Sequence, residues 1–230
     1  MRLGGIQKVS LIDYPGEIST VLFTQGCPFR CHFCHNPSLV IPTKKASVFT
    51  EEDFFSYLDT RKNKIDAVVI SGGEPTIQKD LKRFIKDIKK RNLLIKLDTS
   101  GITPHVIEEL LEEKLLNYIA MDIKTSIEKY DLITNIKTNK EAIKESISLI
   151  INSKIDYEFR TTIVNDLHEK NDILNIFKLI KGAKQYVLQK FNNKIVLNKK
   201  YANSKTFSHD DLNNLVEISK EYSIETCFWR

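Results

Sequence analysis

Strand-like and helix-like segments alternate along this chain with few interruptions, and such a chain folds most simply as a largely parallel sheet with helices packed on it. Ile18 to Thr24 reads as a strand. Thr50 and Asp53 have capping-box spacing, with Phe54, Tyr57 and Leu58 on one face of the helix that follows. Ala67-Val-Val-Ile-Ser71 is the continuous apolar run of a strand covered on both faces, and it closes on Gly72-Gly73-Glu74-Pro75. Leu81, Phe84, Ile85 and Ile88 then recur at helical steps. Leu93 to Leu97 is the next strand, and Thr103-Pro104 opens a helix buried through Val106, Ile107, Leu110 and Leu111. The pattern continues through a strand over Tyr118 to Ile123, a helix over about Lys140 to Asn152 and strands over Tyr157 to Val164 and Gln185 to Phe191, with a helix over Ile173 to Ile180 between those two. Ser208 and Asp211 start a last helix, running to about Tyr222, before a short strand over Ile224 to Trp229. Six βα-like units predict an incomplete (β/α)6 barrel in a single domain of 230 residues. Its core spans about 18–191, with an N-terminal extension over 1–17 and a closing helix and strand over about 206–229. A doubly wound open sheet is the alternative.

The chemistry is concentrated in Cys27-Pro-Phe-Arg-Cys31-His-Phe-Cys34, directly after the first of these strands. Three of the four cysteines fall within eight residues, which suits a metal centre in a reducing compartment better than a disulfide framework. Soft thiolates on a short loop suit an iron–sulfur cluster or zinc. A structural zinc site takes four ligands, often in two pairs, and no second pair exists here, although His32 or His35 offers a fourth donor. A [4Fe-4S] cube held by three thiolates leaves one iron open to a cofactor. Cys227 stands alone and is expected to be a small buried residue of the last strand.

The Cys-x3-Cys-x-aromatic-Cys loop, followed at the next strand end by Gly-Gly-Glu-Pro, resembles the radical S-adenosylmethionine (SAM) superfamily. The resemblance implies a radical SAM barrel with one [4Fe-4S] cluster on Cys27, Cys31 and Cys34, and SAM on the open iron. It implies that reductive cleavage of SAM yields methionine and a 5′-deoxyadenosyl radical, with no catalytic side chain beyond cluster and cofactor. Gly72, Gly73 and Glu74 would receive the methionine moiety, and Phe33 would lie beside the adenine unless it packs in the core. His35 would contact cofactor or cap the loop. Asp98-Thr99 and Asp122-Ile123-Lys124-Thr125 resemble motifs of pyruvate formate-lyase activating enzymes, with Ser100 where an Asn is usual. By that likeness Ile123, Lys124 and Thr125 border the cofactor, with Lys124 facing its carboxylate, and Asp98 and Asp122 are a candidate monovalent-cation pair. Arg160 is a further carboxylate partner or one half of an Arg–Asp pair, and Gln189 lines the far side of the pocket.

Gly4-Gly-Ile-Gln-Lys-Val-Ser-Leu-Ile-Asp-Tyr-Pro-Gly16, with Phe23-Thr-Gln-Gly-Cys27 and Cys34-His-Asn-Pro37, is similar to the activating proteins of anaerobic ribonucleoside-triphosphate reductase. That family abstracts hydrogen from a glycine of the reductase, leaving a glycyl radical. The implied partners are this glycyl-radical subunit and a flavodoxin or ferredoxin as electron donor. Activation of another glycyl-radical enzyme such as pyruvate formate-lyase is the nearest alternative. Others are a small-molecule enzyme such as 7-carboxy-7-deazaguanine synthase, or a metal-binding module without catalysis.

A net charge of +5 raises the question of nucleic acid, but the lysines read as scattered and interleaved with acids, so a solvated surface is expected. No apolar run approaches the roughly 18 residues of a membrane span, and no secretory signal is evident, so neither a membrane nor a nucleic acid is expected and the cytoplasm is the expected compartment. Two substitutions follow. Cys31→Ala should abolish the cluster with little effect on the fold, the loop lying outside the inferred core. Gly73→Val should block SAM and leave the cluster.

Overall fold

The computed structural model describes residues 1–41 and 49–230. The strands are β1 (Leu3–Ser10), β2 (Ser19–Thr24), β3 (Ala67–Gly72), β4 (Leu94–Thr99), β5 (Tyr118–Asp122), β6 (Asp156–Ile163), β7 (Gln185–Lys190) and β8 (Thr226–Trp229). The helices are α1 (Pro37–Val40), α2 (Glu51–Thr60), α3 (Leu81–Lys89), α4 (Pro104–Glu112), α5 (Tyr130–Thr134), α6 (Lys140–Ile151), α7 (Lys170–Leu179) and α8 (His209–Ser219). Within each unit neighbouring strands follow chain order, β1 to β4 in one and β6 to β8 in the other. The chain divides into two compact units, Met1–Pro28 with Ser38–Thr99 and His105–Ile119, and Phe29–Pro37 with Ser100–Pro104 and Ala120–Arg230.

In the first unit β2, β3 and β4 are parallel and in step: Ser19 pairs Ala67, Thr24 pairs Gly72, and Ala67 pairs Leu94. Ala67 to Ile70 are fully buried, as expected of a strand covered on both faces. α3, which packs on β4, has Leu81, Phe84, Ile85 and Ile88 almost entirely buried. The expected capping box at Thr50 and Asp53 starts α2. β1 lies antiparallel to β2 and was not anticipated as a strand. Its Gly4-Gly5 and its exposed Gln7 and Lys8 have weak β-propensity, and with Val9 exposed beside them no apolar alternation appears; an edge strand needs neither. In the second unit β6, β7 and β8 are parallel, with Phe159 against Tyr186 and Gln185 against Thr226. Val106, Leu111 and Ile151, expected inward, are only half-buried. Cys227 lies on β8 as expected but is half-buried.

The cysteine loop is not outside the core. Phe29 is 1% exposed and meets Tyr130 edge-on at 6.5 Å, while the Arg30 N–H donates to Thr134 O at 2.8 Å. Phe33 packs with Ile133, Val164 and Leu167. Phe29→Ala should therefore destabilise the metal-free protein by about 3–5 kcal/mol in urea unfolding, the usual cost of deleting a buried phenyl ring. A loss below about 1 kcal/mol would return the loop to the surface. Among the described residues no helix is long and apolar enough to cross a membrane.

Candidate active site

In the first unit, parallel register carries the end of β2 and the end of β3 to one level, since Thr24 is opposite Gly72. The two turns beyond are joined through backbone: the Gly73 N–H donates to Thr24 O (2.9 Å) and the Glu74 N–H to Gly26 O (2.8 Å). No side chain fits at this crossing. Gly72 has φ of 119°, and a Cβ on Gly73 would stand 2.1 Å from Gly26 O. The Glu74 side chain is buried, and its Oε1 accepts from the Thr76 N–H (3.1 Å), the Thr76 hydroxyl (2.6 Å) and the Thr99 hydroxyl (2.8 Å). It thereby ties the β3 turn to the end of β4. Asp98, beside Thr99, faces the Nζ of the buried Lys96 at 3.6 Å. Lys96 also donates to Asp13 O at 2.6 Å. Cys27, one residue beyond Gly26, is half-buried.

The second unit holds Cys31, buried, and Cys34, half-buried, linked by a tight turn in which the Cys34 N–H donates to Cys31 O at 3.0 Å. Burial pushes the Cys31 thiol up to about 11, against the pull of Lys124. At neutral pH it carries its proton until a soft metal displaces it. His35 is exposed on its outer side; lost solvent on the inner side, helped by Lys124 and Arg160, holds its imidazole below the usual histidine range.

Asp122 organises the cations here. Its Oδ1 accepts from Arg160 Nε at 2.8 Å and its Oδ2 lies 3.3 Å from Lys124 Nζ. Burial alone would raise its carboxyl, but Arg160 and Lys124 outweigh that and hold it well below the usual carboxylate range. Arg160 also lies 3.6 Å from Glu158, which is buried on the same face of β6. The Arg–Asp pair anticipated as an alternative for Arg160 is thus present. Ile123 is fully buried and acts through its backbone: its N–H donates to Arg160 O (2.8 Å) and its carbonyl accepts from the Thr161 hydroxyl (2.7 Å). Gln189 is half-buried opposite Thr162.

His168 was not singled out in the sequence, where nothing marks a lone histidine in a loop. It is 2% exposed; its Nδ1 accepts from the Val164 N–H (3.1 Å), so its Nε2 donates to Lys124 O (2.8 Å). The Lys124 N–H in turn donates to the Tyr130 hydroxyl (3.1 Å). Lys124 is therefore gripped at both backbone groups. Burial lowers the His168 pKa, so its neutral form is the folded one. The unfolded chain takes up a proton first as pH falls, so this contribution is complete above about 6.5 and is lost as pH drops below it. His168→Gln should remove up to about 1.4 kcal/mol per pH unit of the stability lost below that point. Unfolding measured between pH 7 and 5 checks it, and equal slopes in both proteins would refute it.

The residues present fit a cluster and SAM. A cube takes each thiolate on a different iron. Three thiolates in one loop suit that requirement. Thr125 Oγ1, next to Lys124, is buried without a hydrogen-bond partner.

Residues 21–180 match the model of the Radical SAM superfamily. The chain belongs to that superfamily. It is 35% identical over 225 residues, 96% of its own length and 92% of the other, to a protein of Methanocaldococcus jannaschii named as a glycyl-radical enzyme activating enzyme. It is 29% identical over 197 residues, 81% of this chain and 80% of the relative, to the pyruvate formate-lyase-activating enzyme of Clostridium pasteurianum. Among solved structures, a domain of a pyruvate-formate lyase-activating enzyme from Bacteroides vulgatus superposes with TM-score 0.58 at 13% identity, covering 72% of this chain and 99% of that one. The fold is therefore the α/β radical SAM fold expected, and this radical SAM chain is an enzyme of the glycyl-radical activating family. Members of the superfamily use a [4Fe-4S] cluster and SAM.

Proposed function

We propose that this enzyme, acting as one domain, activates anaerobic ribonucleoside-triphosphate reductase by abstracting hydrogen from a glycine of that partner. What carries the reading is the run Gly4 to Gly16 with Phe23-Thr-Gln-Gly-Cys27, which resembles the activating proteins of that reductase. The relatives named for pyruvate formate-lyase favour a second reading, activation of that enzyme.

Cys27, Cys31 and Cys34 would hold the cluster. Bound there, cluster and SAM supply one-electron cleavage of the sulfonium and so a carbon radical. The chain's own residues do the positioning. Gly72 and Gly73 let the β3 turn lie against the backbone that leads into Cys27. Glu74 fixes that turn to Thr99. Lys124 and Arg160 offer cations for the SAM carboxylate, and the Thr125 hydroxyl is a further donor. Asp98 and Asp122 already face cations, so the proposal gives them the task of orienting Lys96, Lys124 and Arg160. Phe33 sits in an apolar cluster and positions the loop by packing. His35, exposed, and Gln189, half-buried on β7, would border the cofactor.

The test is anaerobic reconstitution with iron and sulfide, dithionite reduction and addition of SAM with the organism's own anaerobic reductase. A glycyl-radical doublet on the reductase by electron paramagnetic resonance is expected. Formation of 5′-deoxyadenosine without that doublet, but with one on pyruvate formate-lyase, would replace the first reading by the second.

A further inference from the structure

Between Asp172 and Asp210 the sequence holds no aspartate or glutamate, so the interleaving of charges expected of this chain fails there. The loop between β7 and α8 carries Lys194, Lys199, Lys200 and Lys205, all exposed and none in an ion pair among the described residues. Some exposed lysines elsewhere are paired, as Lys144 is with Glu141 and Lys220 with Glu217, and others, such as Lys62 and Lys154, are not; what sets this stretch apart is that it holds no acid of its own. Amid the four stands Ile195, 59% exposed. An exposed apolar residue in a stretch whose charges are all of one sign suits a partner of opposite charge, which such a field steers.

The same loop holds the cysteine loop. The Asn198 N–H donates to His32 O at 3.0 Å, and Asn198 Nδ2 lies 3.1 Å from His32 Nδ1. The Tyr201 ring stacks on the His32 ring, centroids 5.3 Å apart at 30°. His32 lies between Cys31 and Phe33. A protein seated on these lysines is thus a few bonds from a cluster ligand.

We propose that the β7–α8 loop is the docking surface for an acidic one-electron carrier protein that reduces the cluster. The inference rests on the cluster assignment made above. The carrier is oxidised by one electron and the cluster reduced by one, with no covalent bond formed or broken. A nucleic acid is the other polyanion such lysines attract, but the stretch has no arginine, and its hold on the cysteine loop suits an electron carrier.

The probe is a purified acidic flavodoxin, used with anaerobically reconstituted enzyme. Lys194→Glu, Lys199→Glu, Lys200→Glu and Lys205→Glu are combined in one variant. A control variant combines Lys62→Glu, Lys64→Glu, Lys79→Glu and Lys154→Glu, four other exposed sites. Stopped-flow reduction of the cluster by reduced flavodoxin should slow roughly tenfold or more in the first variant at low ionic strength. The deficit should shrink as salt is added. Binding of oxidised flavodoxin, measured by calorimetry without turnover, should weaken in parallel, and the corresponding Lys→Gln variant should fall between. Dithionite, too small to need a dock, should reduce all of them alike. Equal slowing in the control variant, no slowing in either, or retention of single-stranded DNA lost with the four lysines while flavodoxin kinetics stay unchanged would each overturn the docking surface. Failure of dithionite to reduce the wild type would sink the cluster reading beneath it.

Discussion

Cys31→Ala is expected to leave a protein that folds but assembles no [4Fe-4S] cluster and cleaves no SAM. In the proposed site the buried thiol gives up its proton to solvent as iron binds, and the loop holds no further cysteine to take the place of Cys31. Cys227, the remaining cysteine, lies on β8, where it pairs with Tyr186 of β7. Removing one buried heavy atom from the loop should cost the metal-free protein only roughly 1 kcal/mol, because Phe29 and Phe33 carry its packing. Iron and sulfide content, the visible absorption of the cluster and 5′-deoxyadenosine formation are the measurements. Cys227→Ala should match the wild type in all three. A Cys31→Ala protein that still cleaves SAM would refute the assignment.

Gly73→Val is expected to destroy the cluster as well as SAM binding, which reverses the outcome anticipated from sequence. The obstacle at Gly73 is the carbonyl of Gly26, 2.1 Å from where a Cβ would stand, and its neighbour in the chain is Cys27. Backbone atoms cannot swing aside as a flexible side chain does, so the cysteine loop itself has to move. Iron content separates the two possibilities. A full cluster with SAM affinity lost would show that Gly73 serves the cofactor alone, and the backbone crossing would then be incidental.

Local patterns made most of the architecture legible. The apolar run Ala67 to Ile70, the stripe from Leu81 to Ile88 and the box at Thr50 are read within a few residues, and each reappears in place. The edge strand β1 escaped because its ladder rests on backbone hydrogen bonds, which leave no side-chain signature in Gly4-Gly5 or Gln7-Lys8. The two glycines after β3 were recognised, but their reason was not. Spacing shows that a residue is small, while only register shows what it is small against.

The sequence by itself determined the elements, the cysteine loop and the turn motif, because propensity, periodicity and ligand spacing act over a few neighbouring residues. Tertiary structure alone decided that Asp122 holds Arg160 from 38 residues away, that His168 grips the carbonyl of Lys124, and that Asn198 reaches back to His32. Each of these contacts joins residues that share no local pattern, and the energy that selects them arises only when folding buries a charge or an imidazole and obliges it to find a partner.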